Sequence, residues 1–167
     1  RQSKPPGRHW PDRPEVIAGI DETAGGSWLG VNDFGVVAAI LNRSNSLGPK
    51  EGKRSRGELV LEALDHADAN DAVEAISSIN EKAYRSFNMI LADNRDAFWL
   101  KHTESDDIRI NSIPEGISMI TADDLNDIKS PRIARYLQRI RKASVPNPGI
   151  NDWDAWQEIL ADQSEHI

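Results

Sequence analysis

Six consecutive apolar residues, Val36-Val37-Ala38-Ala39-Ile40-Leu41, constrain this chain more than any other feature. A run that is apolar on both faces predicts a strand sandwiched between layers, and so a central one. Its neighbours upstream follow from the same pattern. Val16-Ile17-Ala18 and Ile20 suit a strand, Ala24-Gly25-Gly26-Ser27 a tight turn, and Trp28-Leu29-Gly30-Val31 the returning strand. The turn Asn32-Asp33-Phe34-Gly35 then leads into the apolar run, so the sheet is predicted to be antiparallel.

Around this core the chain alternates clearly. Pro5, Pro6, Gly7, Pro11 and Pro14 make residues 1–14 an extended approach, because each proline removes a backbone donor and restricts the residue before it. Residues 15–167 are read as one domain. A polar loop from Asn42 to Arg54 precedes a helix with Leu59, Val60, Ala63 and Leu64 on one face, and Ser55 with Glu58 fits the capping-box spacing at its start. Asp71 to Ile79 reads as a second helix, with Asp68 or Asn70 as its cap. Strands are expected at Phe87–Ala92, Ala97–His102, Ile108–Ile113 and Ile117–Thr121. Ser130-Pro131 opens a helix buried through Ile133, Tyr136, Leu137 and Ile140, and a last helix from Asp152 to Leu160 is expected to turn Trp153, Trp156, Ile159 and Leu160 inward. Strand groups with helices between and after them predict an α+β layered fold.

Composition removes several classes of function. At 167 residues, 38% hydrophobic and 28% charged, the chain has the make-up of a water-soluble domain, and no apolar run is long enough to span a bilayer. A net charge of −7 opposes generic binding to nucleic acid. With no cysteine there is no disulfide, thiolate metal site or cysteine nucleophile within these residues. Neither a cofactor nor a metal is expected, the expected location is cytoplasmic, and the expected partner is a small molecule.

Four local patterns invite a chemical reading, each with a plainer structural one beside it. Gly48-Pro49-Lys50-Glu51-Gly52-Lys53-Arg54-Ser55 approaches the phosphate-loop pattern but is one residue short between the glycines, and Arg54 stands at the hydroxyl position. Arg54 and Arg56 still flank a helix start, where free N–H groups favour an anion, and they are carried as ligand-binding candidates. Asp65, His66, Asp68 and Asp71 lack the glycine and terminal glutamate of a calcium loop and are read as a polar helix end. His9, Asp21 and Ser27 supply the residue types of a triad, but Ser27 is better explained by turn chemistry. Six basic residues between Lys129 and Lys142 have acidic counterparts in the helix that follows.

The order of motifs is more specific than any of them singly. His9-Trp10-Pro11, Ala18-Gly19-Ile20-Asp21, the run Ala24 to Asn32, then Arg54-Ser55-Arg56-Gly57-Glu58-Leu59-Val60 and Tyr84 to Leu100 resemble the NRDE family, which includes the transport-and-Golgi-organisation proteins. The tetrapeptide that names this family lies upstream of an Arg-Pro-rich approach, and its members typically begin Met-Cys. Asn94-Arg95-Asp96-Ala97 only imitates the tetrapeptide. The resemblance therefore implies that Arg1 is preceded by further sequence, including the first strands.

That family is similar to the N-terminal-nucleophile hydrolases, which implies an αββα-type sandwich of antiparallel sheets flanked by helices. It further implies an amide hydrolase in which an N-terminal Cys attacks, its amine acts as base and an Asn steadies the oxyanion. The stretch from Gly30 to Asn42 resembles the one that ends in this Asn, so the role falls on Asn42. A second such position falls at Thr121, and Asn32 within the signature is a further ligand-binding candidate. The chain without its nucleophile is expected to be inactive. The alternative is a non-catalytic module that binds or transports a small hydrophobic or amphipathic ligand on the same fold.

Overall fold

Hydrophobic alternation and tight turns produce seven strands: β1 (Ser3–Gly7), β2 (Val16–Asp21), β3 (Leu29–Asn32), β4 (Val37–Asn42), β5 (Phe87–Ala92), β6 (Ala97–Thr103) and β7 (Asp106–Ser112). They were located in a computed structural model that describes residues 2–163. All seven pair antiparallel in chain order within a single sheet. The apolar run thus lies in the middle strand. Both strand groups expected from the sequence belong to the same sheet, joined where Val37 to Asn42 pairs with Ala92 to Phe87.

Two helices, α1 (Gly57–Leu64) and α2 (Ala69–Ser77), connect β4 to β5. The first packs on β3 and β4, the second on β5 and β6, and the two pack on each other. Their buried residues Leu59, Val60, Leu64, Ala72 and Ile76 join Val16, Ala38, Met89, Leu91 and Leu100 from the sheet in one core. At about 25 cal/mol per Å² of apolar surface removed from water, this burial is the main force holding helices to sheet. On β4 the alternation is visible: Ala38 and Ile40 are buried, while Val37 on the other face is 37% exposed.

The Gly-rich signature has a packing explanation. A Cβ on Gly26 would lie 2.5 Å from the backbone of Gly57, and one on Gly30 would lie 2.7 Å from Ala18 Cβ and 2.8 Å from Leu64 Cδ1. Gly26 therefore lets the β2–β3 turn touch the first residue of α1, where Ser27 N donates to Gly57 O at 3.1 Å. Trp10 closes the same turn, its indole N–H donating to Gly25 O at 3.0 Å.

The chain divides into two compact units, Arg1–Pro114 and Glu115–Ile167. The second holds α3 (Pro131–Lys142) and α4 (Asp154–Leu160). Ile133, Tyr136 and Leu137 of α3 are buried. Asp162 accepts from Arg135 at 3.1 Å and from Arg139 at 2.5 Å, so part of the basic helix is answered within its own unit.

Four sequence expectations need correction. Within the extended approach expected over residues 1–14, residues 3–7 pair as an edge strand, although regular structure was expected only from Glu15 on. Proline is tolerated there because an edge strand has one side without ladder partners, and the register shifts between Lys4 and Gly7, where Pro5 and Pro6 offer no N–H. Ile117 to Thr121 is not a strand. Asn126, at φ 58°, satisfies both backbone groups of Met119, accepting from its N–H at 2.8 Å and donating its own N–H to its carbonyl at 2.8 Å. The capping box at α1 does not form, since Glu58 accepts instead from Tyr84 Oη at 2.5 Å and pairs with Arg54 Nε at 2.7 Å. Trp153, which precedes α4, and Leu160 at its end are exposed rather than turned inward.

Candidate functional site

The central strand runs into a cleft of about 720 Å³. Its position follows from the fold: β4 supplies Ile40, Leu41 and Asn42, the β2–β3 turn supplies Ser27 and Trp28, and the loop entering α1 supplies Arg54 and Arg56. Three of the five candidate residues, Asn42, Arg54 and Arg56, therefore line one cavity.

Asn42 is the last residue of β4, and its ladder partner is Phe87. It is half-buried. Its carboxamide has no hydrogen-bond partner among the described residues. A strand whose preceding residues are apolar delivers its first polar side chain at its end, and here that end borders the cleft. A carboxamide left without a protein partner there can donate to a ligand oxygen.

Arg54 is held by three contacts. Its Nε pairs with Glu58 at 2.7 Å, its guanidinium lies 5.6 Å from the Tyr84 ring centroid, and its backbone N–H donates to Ala83 O at 2.8 Å. Burial, with help from Glu58, pushes the Tyr84 phenol well above its usual range, so Tyr84 stays a neutral donor to that carboxylate. Arg56 donates from Nη1 to Ser46 Oγ at 3.0 Å and to Ser86 O at 2.7 Å.

The other two candidates are not among the residues that line this cleft. Asn32 is buried and structural: Oδ1 accepts from Phe34 N at 3.1 Å and Val36 N at 3.0 Å, while Nδ2 donates to Leu64 O at 2.9 Å and His66 O at 2.7 Å. These bonds tie the β3–β4 turn to the end of α1. Thr121 belongs to the unit Glu115–Ile167, where its hydroxyl donates to Ser130 Oγ at 3.2 Å.

The triad types are not assembled. Ser27 Oγ donates to Leu29 O at 3.1 Å, Asp21 Oδ1 accepts from Thr23 N and Ala24 N at 3.0 and 3.2 Å, and His9 Nε2 lies 2.8 Å from Pro5 O. Asp65 and Asp68 are likewise engaged, the first by the Arg13 guanidinium at 2.8 and 3.0 Å, the second as the α2 cap that accepts from Asp71 N at 2.9 Å.

Sequence reasoning missed Arg85 as a lining residue. It reaches the cleft by donating to Leu47 O at 2.7 Å, Gly48 O at 3.2 Å and Asn45 O at 2.9 Å. No local pattern signals that approach, because it depends on two loops nearly forty residues apart meeting. Trp28, read from sequence as part of the returning strand, is 40% exposed and lines the cleft as well.

Among the described residues no helix is long and apolar enough to cross a membrane. The solved structures include a similar one, a variant of conjugated bile acid hydrolase from Clostridium perfringens. It matches at TM-score 0.50 and 17% identity, over 78% of this chain and 44% of that one. The likeness supports the α+β, N-terminal-nucleophile-hydrolase type of fold. Among curated proteins, the chain is 33% identical over 91 residues to the transport and Golgi organization protein 2 homolog of Bos taurus and 32% identical to that of Mus musculus. Each match takes in 50% of this chain and 31% of the relative, so the matched segment spans about a third of these relatives. The profile of the family Transport and Golgi organisation 2 matches residues 1–164, and the chain belongs to that family.

Proposed function

We propose that the protein of which these residues are part is an amide hydrolase of the N-terminal-nucleophile type acting on a small non-peptide amide, with Asn42 donating to the oxyanion. The observation that carries this reading is the carboxamide of Asn42 at the end of the central strand, lining a cleft and without a hydrogen-bond partner among the described residues. The fold of the bile acid hydrolase supports it as a scaffold. Attack on the amide carbon turns the carbonyl oxygen into an alkoxide, and a donor already in place stabilises that charge without reorganising. The C–N bond then breaks, the amine leaves with a proton from the base, and water releases the acyl group. The 167 residues contain no cysteine, so in this reading the nucleophile and its amine belong to a longer form of the polypeptide.

A second reading has its own support. The cleft combines an apolar wall of Trp28, Ile40 and Leu41 with cationic residues, all supplied by this chain, which suits a module that binds or carries an amphipathic molecule without cleaving it. The two are separated by incubating the full-length protein with N-acylglycines of graded chain length. Released glycine supports the hydrolase, and stoichiometric binding without release supports the carrier.

A further inference from the structure

We infer that the cleft at the end of β4 takes a ligand with an anionic head, a carboxylate or phosphate, carried on an apolar body. This rests on the reading of that cleft as a small-molecule site and narrows what it accepts. Of the 18 residues that line it, five are cationic, Lys50, Lys53, Arg54, Arg56 and Arg85, and one, Asp21, is acidic. Across the whole chain 27 acidic residues outnumber 20 basic ones, so the cleft reverses the sign of its surroundings. A concave surface of one sign focuses its field on an incoming ligand of the other.

The anchoring of these side chains leaves donors for a ligand. Lys53 Nζ donates to the neutral carbonyl of Lys82 at 2.7 Å, and an ammonium has three protons to give. Lys50 Nζ donates to Glu104 at 2.9 Å, and Arg54 commits Nε to Glu58. A guanidinium has five N–H groups, so one such bond leaves several able to meet an oxyanion. Beside these cations, Trp28, Ile40, Leu41 and Pro49 form an apolar wall. The volume is that of sites for small organic ligands rather than for a polymer. A head and a body are thus both accommodated.

The test is calorimetric titration of residues 1–167 with decanoate, decyl phosphate, decanol, decyltrimethylammonium and inorganic phosphate, each below any micelle-forming concentration. The expected result is one bound decanoate or decyl phosphate per chain, at least tenfold tighter than decanol and weakened by added salt. Preference for one of the two anions identifies the head. Lys53→Gln and Arg54→Gln are each expected to weaken anion binding about tenfold, with Lys53→Arg restoring it, and with melting temperatures recorded to separate binding from folding. Equal affinity for decanol and the anions, or preference for the cation, overturns the inference. Binding of inorganic phosphate as tight as decyl phosphate also overturns it, as an adventitious ion only. Failure of the full-length protein to cleave amides would count against the hydrolase reading and leave this result intact, whereas failure to bind any of the amphiphiles would overturn the ligand-cleft reading itself.

Discussion

Asn32 and Asn42 each end a strand, yet the structure puts them to opposite uses. All the hydrogen-bonding capacity of Asn32 is spent on backbone groups of a turn and a helix end. Asn32→Ala leaves several buried groups unpaired and is expected to cost on the order of 2–4 kcal/mol in a denaturant titration, with no direct effect on the cleft. A stability loss under 1 kcal/mol would contradict its structural role. The family resemblance set Asn42 apart, but the residue pattern alone could not, because an Asn after an apolar run has the same signature whether its amide meets backbone or cavity. His102 is a second residue whose surroundings decide its behaviour. It is buried against Phe87, ring centroids 5.1 Å apart, and neither ring nitrogen has a hydrogen-bond partner among the described residues. Burial holds its pKa below the ordinary value, opposed by Glu81 and by backbone groups of Tyr84 and Asp106 that lie outside hydrogen-bond geometry. The unfolded chain therefore binds the proton more readily, so the stability His102 contributes is present above about pH 6.5 and is lost as pH falls toward its depressed folded value. Melting temperatures measured from pH 8 to pH 5 should fall, and the drop should be smaller in His102→Phe.

At the scale of elements, two contacts hold helices and turns in register. Gly26 and Gly57 meet backbone to backbone, so Gly26→Ala must push the β2–β3 turn away from α1. Loss of stability by about 1–3 kcal/mol, together with a weaker ligand response at the cleft, is the expected outcome, because overpacking against a backbone has no flexible side chain to absorb it. Asp93 joins the β5–β6 turn to α2: its carboxylate accepts from Ala69 N at 2.9 Å, Arg95 N at 2.7 Å and Asp96 N at 2.9 Å. Those backbone donors hold its pKa at about 2, so the stability it contributes is complete above about pH 4 and lost as pH falls toward 2. Removing the carboxylate in Asp93→Ala should lower the melting temperature at pH 7 and lessen the further loss between pH 4 and 2. The helices and six of the strands were legible from spacing and turn residues. The edge strand β1 was not, since its prolines read as loop, and Ile117–Thr121 was read as strand because the capture of Met119 by Asn126 is a side-chain event that alternation cannot register. The false capping box at α1 has a related cause, for Glu58 is claimed by Tyr84 from 26 residues away and by Arg54 one turn before it.

For the whole molecule, an antiparallel meander carries its middle strand to a cleft that gathers Asn42 with a set of cations. The order of motifs was enough to read the family and the fold type from the sequence, because the glycines and turns that carry them are packing requirements. The cationic lining was legible only in part, since Arg85 arrives through a loop meeting rather than a motif. The central claim is that Asn42 serves the chemistry of the cleft. Its most direct test is the rate of glycine release from N-acylglycines by the full-length protein and by its Asn42→Ala variant, with residues 1–167 alone, which contain no cysteine, as the control. Expected are release by the full-length protein, none above background by the 167-residue chain, and a fall in kcat of about a hundredfold or more in Asn42→Ala at nearly unchanged melting temperature, as loss of one oxyanion donor produces. Full activity in the Asn42→Ala variant would contradict it.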